Sequence, residues 1–374
     1  MNKFEINKIY CGDCREVLKT FPDESVNCCV TSPPYWGLRD YGVKGQLGLE
    51  KTPEEYIKNM VEVFREVKRV LRSDGTLWLN LGDSYLSNPK PDIGDQKYMN
   101  GRKRFDRPNT KKILNLKPKN LVGIPWRVAL ALQADGWYLR QDIIWSKPNP
   151  MPESVTDRCT KSHEYIFLLS KSARYYYDNG AIKEPVGIKG NANSFRGGAY
   201  CNGNKDNSLL GKRTVSGNTK IKVPSGWDTS KGSHGNYHKD GRGNPEYKTN
   251  GKHSKLDKQS PGRRMLENVK KARSLTGDHE KMFGTKRNKR SVWTVATYPY
   301  KKAHFATFPP KLIEPCILAG CPKDGIVLDP FLGSGTTGFV ARANNKNYLG
   351  IDLSSEYITD IAQQRILSAE PKLF

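Results

Sequence analysis

No stretch of this chain approaches the roughly 18 consecutive apolar residues of a membrane-spanning helix. Its opening residues, Met1-Asn2-Lys3-Phe4-Glu5-Ile6-Asn7, carry no apolar signal region. Membrane-spanning and signal-led secreted proteins are therefore disfavoured. Cysteine is sparse as well. Eight in 374 residues do not make the disulfide framework of a small secreted domain, and Cys28-Cys29 lies in an apolar run that suits reduced, packed thiols. The expected compartment is the cytoplasm. Apolar residues are scarce too, at 36% with a mean hydropathy of −0.70, so some segment must be poor in core-forming residues. Acidic residues number 38 against 62 Lys and Arg, which leaves a net charge of +24 and a pI near 9.6. Such an excess favours a polyanionic partner. At this length, without internal repeats, one large or two unequal domains are expected.

What is present is an alternation of strands and helices. Ser25 to Thr31 suits a buried strand that ends at Pro33-Pro34. Glu54 to Leu71 has apolar residues at helical spacing, preceded by Thr52 as cap and Pro53 in the first turn. Ser73-Asp74-Gly75 should break that helix before a strand over Thr76 to Leu81. A helix is expected near Pro125 to Ala134, with strands near Tyr138 to Trp145 and Glu164 to Ser170. Beyond residue 290, a helix should end near Gly320 and a strand run from Ile326 to Leu328. A helix through Phe339 to Asn344, a strand at Tyr348 to Ile351 and a last helix from Ser355 to Leu367 follow. This spacing argues for an α/β sheet with helices on its faces.

Between Pro185 and Arg290 the pattern lapses. That segment holds 24 Lys and Arg against 8 Asp and Glu, an excess of +16 out of +24, amid Gly, Asn and Ser. A disordered basic linker is one reading. A DNA-contacting region is the other, and Phe195, Tyr200, Trp227, Tyr237, Tyr247 and Phe283 favour it, because disordered tracts are poor in aromatics.

Two motifs carry chemistry. Asp329-Pro330-Phe331-Leu332-Gly333-Ser334-Gly335-Thr336-Thr337-Gly338 stands where a strand must turn into a helix. Its glycines permit positive φ and close approach of a nucleotide-like cofactor to the backbone. Asp352, 19 residues after Gly333, closes the next strand, where an acid can accept from both ribose hydroxyls. The spacing also fits a dinucleotide site, but Asp329 at the mouth of the turn would repel a pyrophosphate and could help hold a zwitterionic amino acid moiety. At the other end, Thr31-Ser32-Pro33-Pro34-Tyr35-Trp36 suits a clamp for a planar amino group. An exocyclic amine on a nucleobase is a poor nucleophile, since its lone pair is delocalised into the ring. Acceptors such as the Ser32 hydroxyl and adjoining carbonyls can draw its N–H bonds out of conjugation. Pro33 and Pro34 stiffen the turn, Tyr35 can stack on an extruded base, and Trp36 can shape the pocket.

Together these motifs resemble those of the β group of DNA amino-methyltransferases, whose catalytic motif precedes the cofactor motif with a target recognition domain between. The resemblance covers about 1–184 and 291–374. It implies a class I S-adenosylmethionine-dependent methyltransferase fold, a Rossmann-like mixed sheet with helices on both faces in circularly permuted motif order. Residues 1–184 would be the catalytic half, 185–290 a basic target recognition region and 291–374 the cofactor-binding half. Ser32, Pro33, Pro34 and Tyr35 are the implied catalytic residues. The implied S-adenosylmethionine residues are Asp13, Phe308, Asp329, Phe331, Gly333, Ser334, Gly335, Thr336 and Asp352. Asp13, in Ile9-Tyr10-Cys11-Gly12-Asp13, corresponds to the acid that contacts the adenine, and Phe308 lies in the segment flanking the methionine. Leu79 to Tyr85 and Ile144 to Asn149 resemble segments that line the target pocket.

A serine at the head of Ser-Pro-Pro-Tyr is the usual mark of N4-cytosine enzymes. Asp or Asn there marks most N6-adenine enzymes, yet Ser, Asp and Asn can all accept from an amine, and the adenine reading stays open. Double-stranded DNA is the implied partner, flipped at the target base, in a prokaryotic or phage-encoded setting where a cognate restriction endonuclease is possible. An RNA or protein amide methyltransferase and a catalytically silent DNA-binding protein are the competing classes.

Several features are set aside. Pro315-Cys316 and Glu267-Asn268-Val269 suggest a C5-cytosine nucleophile, but the Gln is missing and the order is reversed. Cys11-x-x-Cys14 and Cys316-x4-Cys321 lack a second metal-ligand pair, so no metal is expected. His234 and His238 lie in a Gly/Asn-rich stretch. His163-Glu164, at the start of a strand near the target pocket, is equally well explained by packing or capping.

Overall fold

A computed structural model describes residues 4–40, 42–43, 45–86, 116–185, 286–297 and 307–371. By contact density the chain divides into one unit of residues 1–184 and 288–374 and a second of 185–287. Almost all of the second lies outside the described residues, as do the basic region, its aromatics, His234 and His238.

The first unit is built on an eight-stranded sheet. Its strands are β1 (Lys8–Cys11), β2 (Val26–Thr31), β3 (Leu71–Leu81), β4 (Tyr138–Ser146), β5 (His163–Ser170), β8 (Val292–Thr294), β9 (Ile326–Asp329) and β10 (Asn347–Asp352). Two-residue strands, β6 (Glu184–Pro185) and β7 (Lys286–Arg287), form a separate ladder. The main order is β1-β10-β9-β2-β3-β5-β4-β8. From β1 to β3 all neighbours are parallel. β5 is antiparallel to both β3 and β4, and β8 joins β4 in parallel. The expected mixed α/β sheet is thus present. The chain's last third supplies β9 and β10, which separate β1 from β2 although those two are neighbours in sequence.

At the centre of the sheet, β2, β9, the second half of β3 and most of β5 are buried and largely apolar because helices cover both faces. Successive residues go to opposite sides. Cys29, Leu77, Leu79, Phe167 and Leu328 enter one core, with α1 (Cys14–Lys19), α2 (Pro53–Val70) and α3 (Ile124–Ala134). Cys28, Val30, Trp78, Ile166, Leu168 and Val327 enter the other, with α4 (Pro310–Gly320), α5 (Thr336–Ala343) and the C-terminal helix α6. α6 is α-helical over Ser355–Tyr357 and Gln364–Leu367 with a π-helical stretch, Ile358–Gln363, between them. No helix of the described residues is long and apolar enough to cross a membrane.

Local signals explain most boundaries. Thr52 caps α2, its hydroxyl accepting from Glu55 N at 3.1 Å, with Pro53 at the first helical position. The break expected at Ser73-Asp74-Gly75 takes a different form: β3 begins at Leu71, directly after α2. Val26 pairs with Leu71 and Cys28 with Thr76, so Arg72 to Gly75 bulge out opposite Asn27. The bulge is held from outside, where Lys171 N donates to Gly75 O at 3.2 Å and Tyr176 N to Asp74 O at 2.9 Å.

Candidate active site

In a parallel sheet the carboxyl ends of the strands lie along one edge, where ligands bind in open α/β folds. Here that edge collects Asp13 just past β1, Asp352 ending β10, Asp329 ending β9, Ser32 after β2 and Asp83 after β3. The register fixes their alignment, with Cys11 opposite Asp352 and Gly350 opposite Asp329. β4 runs the same way as β3, so Lys147 follows it at this edge. β5 runs the opposite way and therefore brings its first residues, His163 and Glu164, to the same place.

A direct bond ties the two motifs together. Thr31 Oγ1 donates to Asp329 Oδ1 at 2.6 Å across 298 positions of sequence. Asp329 is 1% exposed, and its carboxylate also accepts from Thr337 Oγ1 at 2.6 Å and Phe331 N at 3.0 Å. Burial pushes its pKa up to about 6 although these donors pull the other way. The carboxylate faces the protein and secures the turn to β2. An amino acid moiety at the turn's mouth was the expected partner.

On the catalytic side, Ser32 Oγ donates to Tyr35 Oη at 3.4 Å, and Tyr35 Oη donates to Glu164 Oε2 at 2.9 Å, with Asn80 Oδ1 at 3.2 Å. Asn80 Nδ2 reaches Tyr165 O at 3.0 Å and Glu164 Oε2 at 3.3 Å. Lys147 Nζ pairs with Glu164 Oε1. Burial first, and then the charge of Glu164, raise the Tyr35 phenol well above its ordinary value. The Tyr35 ring lies so close to Gly82 that a Cβ there would stand 2.5 Å from it. Pro34 O accepts from Tyr56 Oη at 2.9 Å, and Trp36 is buried in the core with its Nε1 donating to Glu50 O at 2.9 Å. The pocket-shaping role expected of Trp36 is thus replaced by anchoring of the loop. Asp83 caps α3, accepting from Gly123 N at 2.9 Å and Ile124 N at 3.1 Å. Lys161 Nζ donates to Asp83 O at 2.5 Å, and burial lowers its pKa.

On the cofactor side, Gly333 and Gly335 have φ of +51° and +78°. Gly333 N donates to Asp352 Oδ2 at 2.9 Å and Ser354 N to Asp352 Oδ1 at 3.0 Å. Burial raises the Asp352 pKa. Asp13 caps α1 and pairs with Arg15 at 2.5 Å, and that hydrogen bond lowers its pKa. Ser334 and Thr336 are buried, and their hydroxyls accept from Arg365 Nη1 at 2.7 and 2.9 Å. They anchor the turn to α6 beneath it. Phe308 packs against the core on the α4 side and Phe331 against the opposite one. Among the described residues, a Cβ built on Gly333 meets only Phe331 O, at 3.9 Å, so these residues leave the turn open on that side. The acceptor carboxylate of Asp352 and this open glycine suit the ribose and backbone-hugging portion of a nucleoside cofactor.

A model of the DNA methylase family matches residues 26–364. The chain belongs to the N6/N4 DNA methylase family. Relatives within it include the type II methyltransferase M.Cfr9I of Citrobacter freundii, 39% identical over 355 residues that cover 95% of this chain and 86% of the relative. M.SmaI of Serratia marcescens is 40% identical over 360 residues, covering 96% and 90%. Among solved structures, the PvuII DNA methyltransferase, described as cytosine-N4-specific, aligns with a TM-score of 0.52 at 17% identity over 99% and 95% of the two chains. A putative DNA modification methylase from Thermus thermophilus, in complex with S-adenosyl-L-methionine, aligns with a TM-score of 0.50 at 19% identity over 98% and 96%. At these identities the structural likeness establishes the fold.

Two residues in contact with the motif residues carry no role in the sequence reading, Glu164 and Arg365. The sequence places Glu164 near the pocket without a partner, since its contact with Tyr35 depends on β5 running antiparallel. Arg365 lay unremarked in the last helix. An arginine on the apolar side of a helix was the available signal, as it must find buried acceptors there.

Proposed function

We propose that this DNA methylase methylates the exocyclic N4 of cytosine at a specific site in duplex DNA, after the base is flipped out of the stack. The observation that carries the reading is the Thr31–Asp329 hydrogen bond of 2.6 Å. It sets the serine clamp beside the glycine turn, so that an amine held by Ser32 stands next to whatever the turn holds. S-adenosyl-L-methionine, when bound, would supply a sulfonium-activated methyl group for the amine nitrogen. The chain's own contribution is positioning. Asp352 and the open side of Gly333 hold the cofactor, with Asp13 at the neighbouring strand end, and Ser32 accepts an N–H of the target amine.

Cytosine is preferred to adenine because Ser32 heads the Ser-Pro-Pro-Tyr motif, the form usual in N4-cytosine enzymes. Residues 185–290 would supply phosphate contacts through their +16 excess and read the site through base-edge contacts. The designation of the relatives as type II methyltransferases is the ground for proposing a cognate restriction endonuclease.

The test is to incubate the full chain with plasmid and radiolabelled S-adenosylmethionine, then sequence the modified positions. Label on cytosine N4 at one recurring site is expected. Label on adenine N6 overturns the choice of base, and transfer only to RNA or protein, or none, overturns the activity. Ser32→Ala should bind DNA and cofactor as the wild type does and lose most methyl transfer. Full activity in that variant removes Ser32 from the mechanism.

A further inference from the structure

A serine hydroxyl can donate or accept, whereas a nucleobase amine needs an acceptor for its N–H bonds. The bonds around Ser32 decide which role it takes. Its proton is directed at Tyr35 Oη, 3.4 Å away. Tyr35 has a single phenolic proton, and two acceptors compete for it: Glu164 Oε2 at 2.9 Å and Asn80 Oδ1 at 3.2 Å. The carboxylate is both nearer and the stronger acceptor. It is fixed on its other oxygen by Lys147, whose ammonium lies 4.2 Å from the centre of the Trp145 ring. Asn80 Nδ2 donates to the same Oε2 that receives the phenol. The raised Tyr35 pKa keeps the phenol a donor. Donation therefore runs one way, from Ser32 through Tyr35 to Glu164, and leaves the serine lone pairs for the amine.

We infer that Glu164 is a positioning residue for methyl transfer: held by Lys147, it sets the direction of the Ser32–Tyr35 chain and so makes Ser32 an acceptor for the target amine. This rests on the amine-methylating reading of the site, which fails separately if the wild-type chain transfers no label to DNA. Glu164→Gln, made in the full chain, presents an amide that donates as well as accepts, so the chain can run in either direction. With duplex DNA and S-adenosylmethionine, its kcat should fall on the order of 10–100-fold. The KM values for both substrates should stay within about twofold, the pattern of an interaction made in the transition state. The melting temperature should fall, because Lys147 loses its counter-charge, and Glu164→Asp should recover part of the loss in kcat. Tyr35→Phe, which lacks the phenolic proton, should lose a similar factor. The double variant should be no slower than Tyr35→Phe alone, because both act on one chain. Three results would overturn the inference: a Glu164→Gln kcat within about twofold of wild type, KM values that rise in step with the fall in kcat, or losses that multiply in the double variant. If Glu164→Gln does not fold, Tyr35→Phe decides, and wild-type kcat in that variant overturns the chain.

Discussion

Two glycines in one turn should respond to alanine in opposite ways. Gly335 and Gly333 have φ of +78° and +51°, and a left-handed backbone costs an L-residue about 1–2 kcal/mol at either position. Their surroundings differ. A Cβ on Gly335 would stand 2.9 Å from Ala362 O and 3.1 Å from Ala362 Cα, both backbone atoms of α6, and 3.2 Å from Ile366 Cγ1. Backbone cannot rotate aside, so overpacking adds about 1–3 kcal/mol, for a total near 2–5 kcal/mol. On Gly333 the nearest atom of the described residues is Phe331 O at 3.9 Å, so there the strain stands alone. At roughly 2–4 °C per kcal/mol for a unit of this size, Gly335→Ala should lower the Tm by about 4–20 °C and Gly333→Ala by about 2–8 °C. Cofactor affinity should rank the other way relative to stability. The Gly333 methyl enters the open side of the turn, so Gly333→Ala should weaken S-adenosylmethionine binding far beyond what its Tm implies. Circular-dichroism melts and titration calorimetry on the two variants provide the measurement. Equal Tm losses, or wild-type cofactor affinity in Gly333→Ala, would refute this account of the turn.

Two further outcomes follow from buried polar groups in the same half. Burial raises Asp329 from 3.8 to about 6, so between about pH 4 and 6 the folded chain keeps a proton that the unfolded chain releases. The associated stability is present below about pH 4 and declines as pH rises through 6, by on the order of 3 kcal/mol. Asp329→Asn should remove that decline, so urea denaturation from pH 4 to 7 should show its stability gaining on the wild type, and parallel curves would count against the shift. Arg365→Met should leave the buried Ser334 and Thr336 hydroxyls without their donor, at about 1.5–3 kcal/mol. A lower Tm and a raised cofactor KM are expected, with kcat at saturating cofactor near wild type, and an unchanged KM would confine Arg365 to stability.

Much of the fold was legible because its signals are local. The helix from Pro53, the strand that ends at Thr31 and the strand–turn–helix of residues 326–343 each follow from periodicity, a cap or a glycine turn within a few residues. α1 and β8 went unpredicted because six and three residues are too few to establish a period. The Ser73-Asp74-Gly75 break was rightly sensed but took the form of a bulge, since the partner strand keeps pairing on either side of it. In the candidate site the fold brings the motif residues to one edge of the sheet, while several of them bond to protein partners that the sequence does not indicate. Asp352 receives the Gly333 and Ser354 amides, Ser334 and Thr336 receive Arg365, and Asp329 receives two threonines.

The class of molecule was already written in the chain: an α/β fold, a basic segment suited to a polyanion, and two motifs whose residue types suit an amine clamp and a cofactor turn. Those properties reside in short windows and in composition, which survive without knowledge of the fold. What those residues face emerged only from the folded arrangement. Strand order and direction are long-range properties, set by which apolar surfaces pack together. An antiparallel β5 between β3 and β4 delivers Glu164 to Tyr35, and β9 beside β2 delivers Asp329 to Thr31. A residue's type stated what it could bond, and the sheet's topology selected the partner.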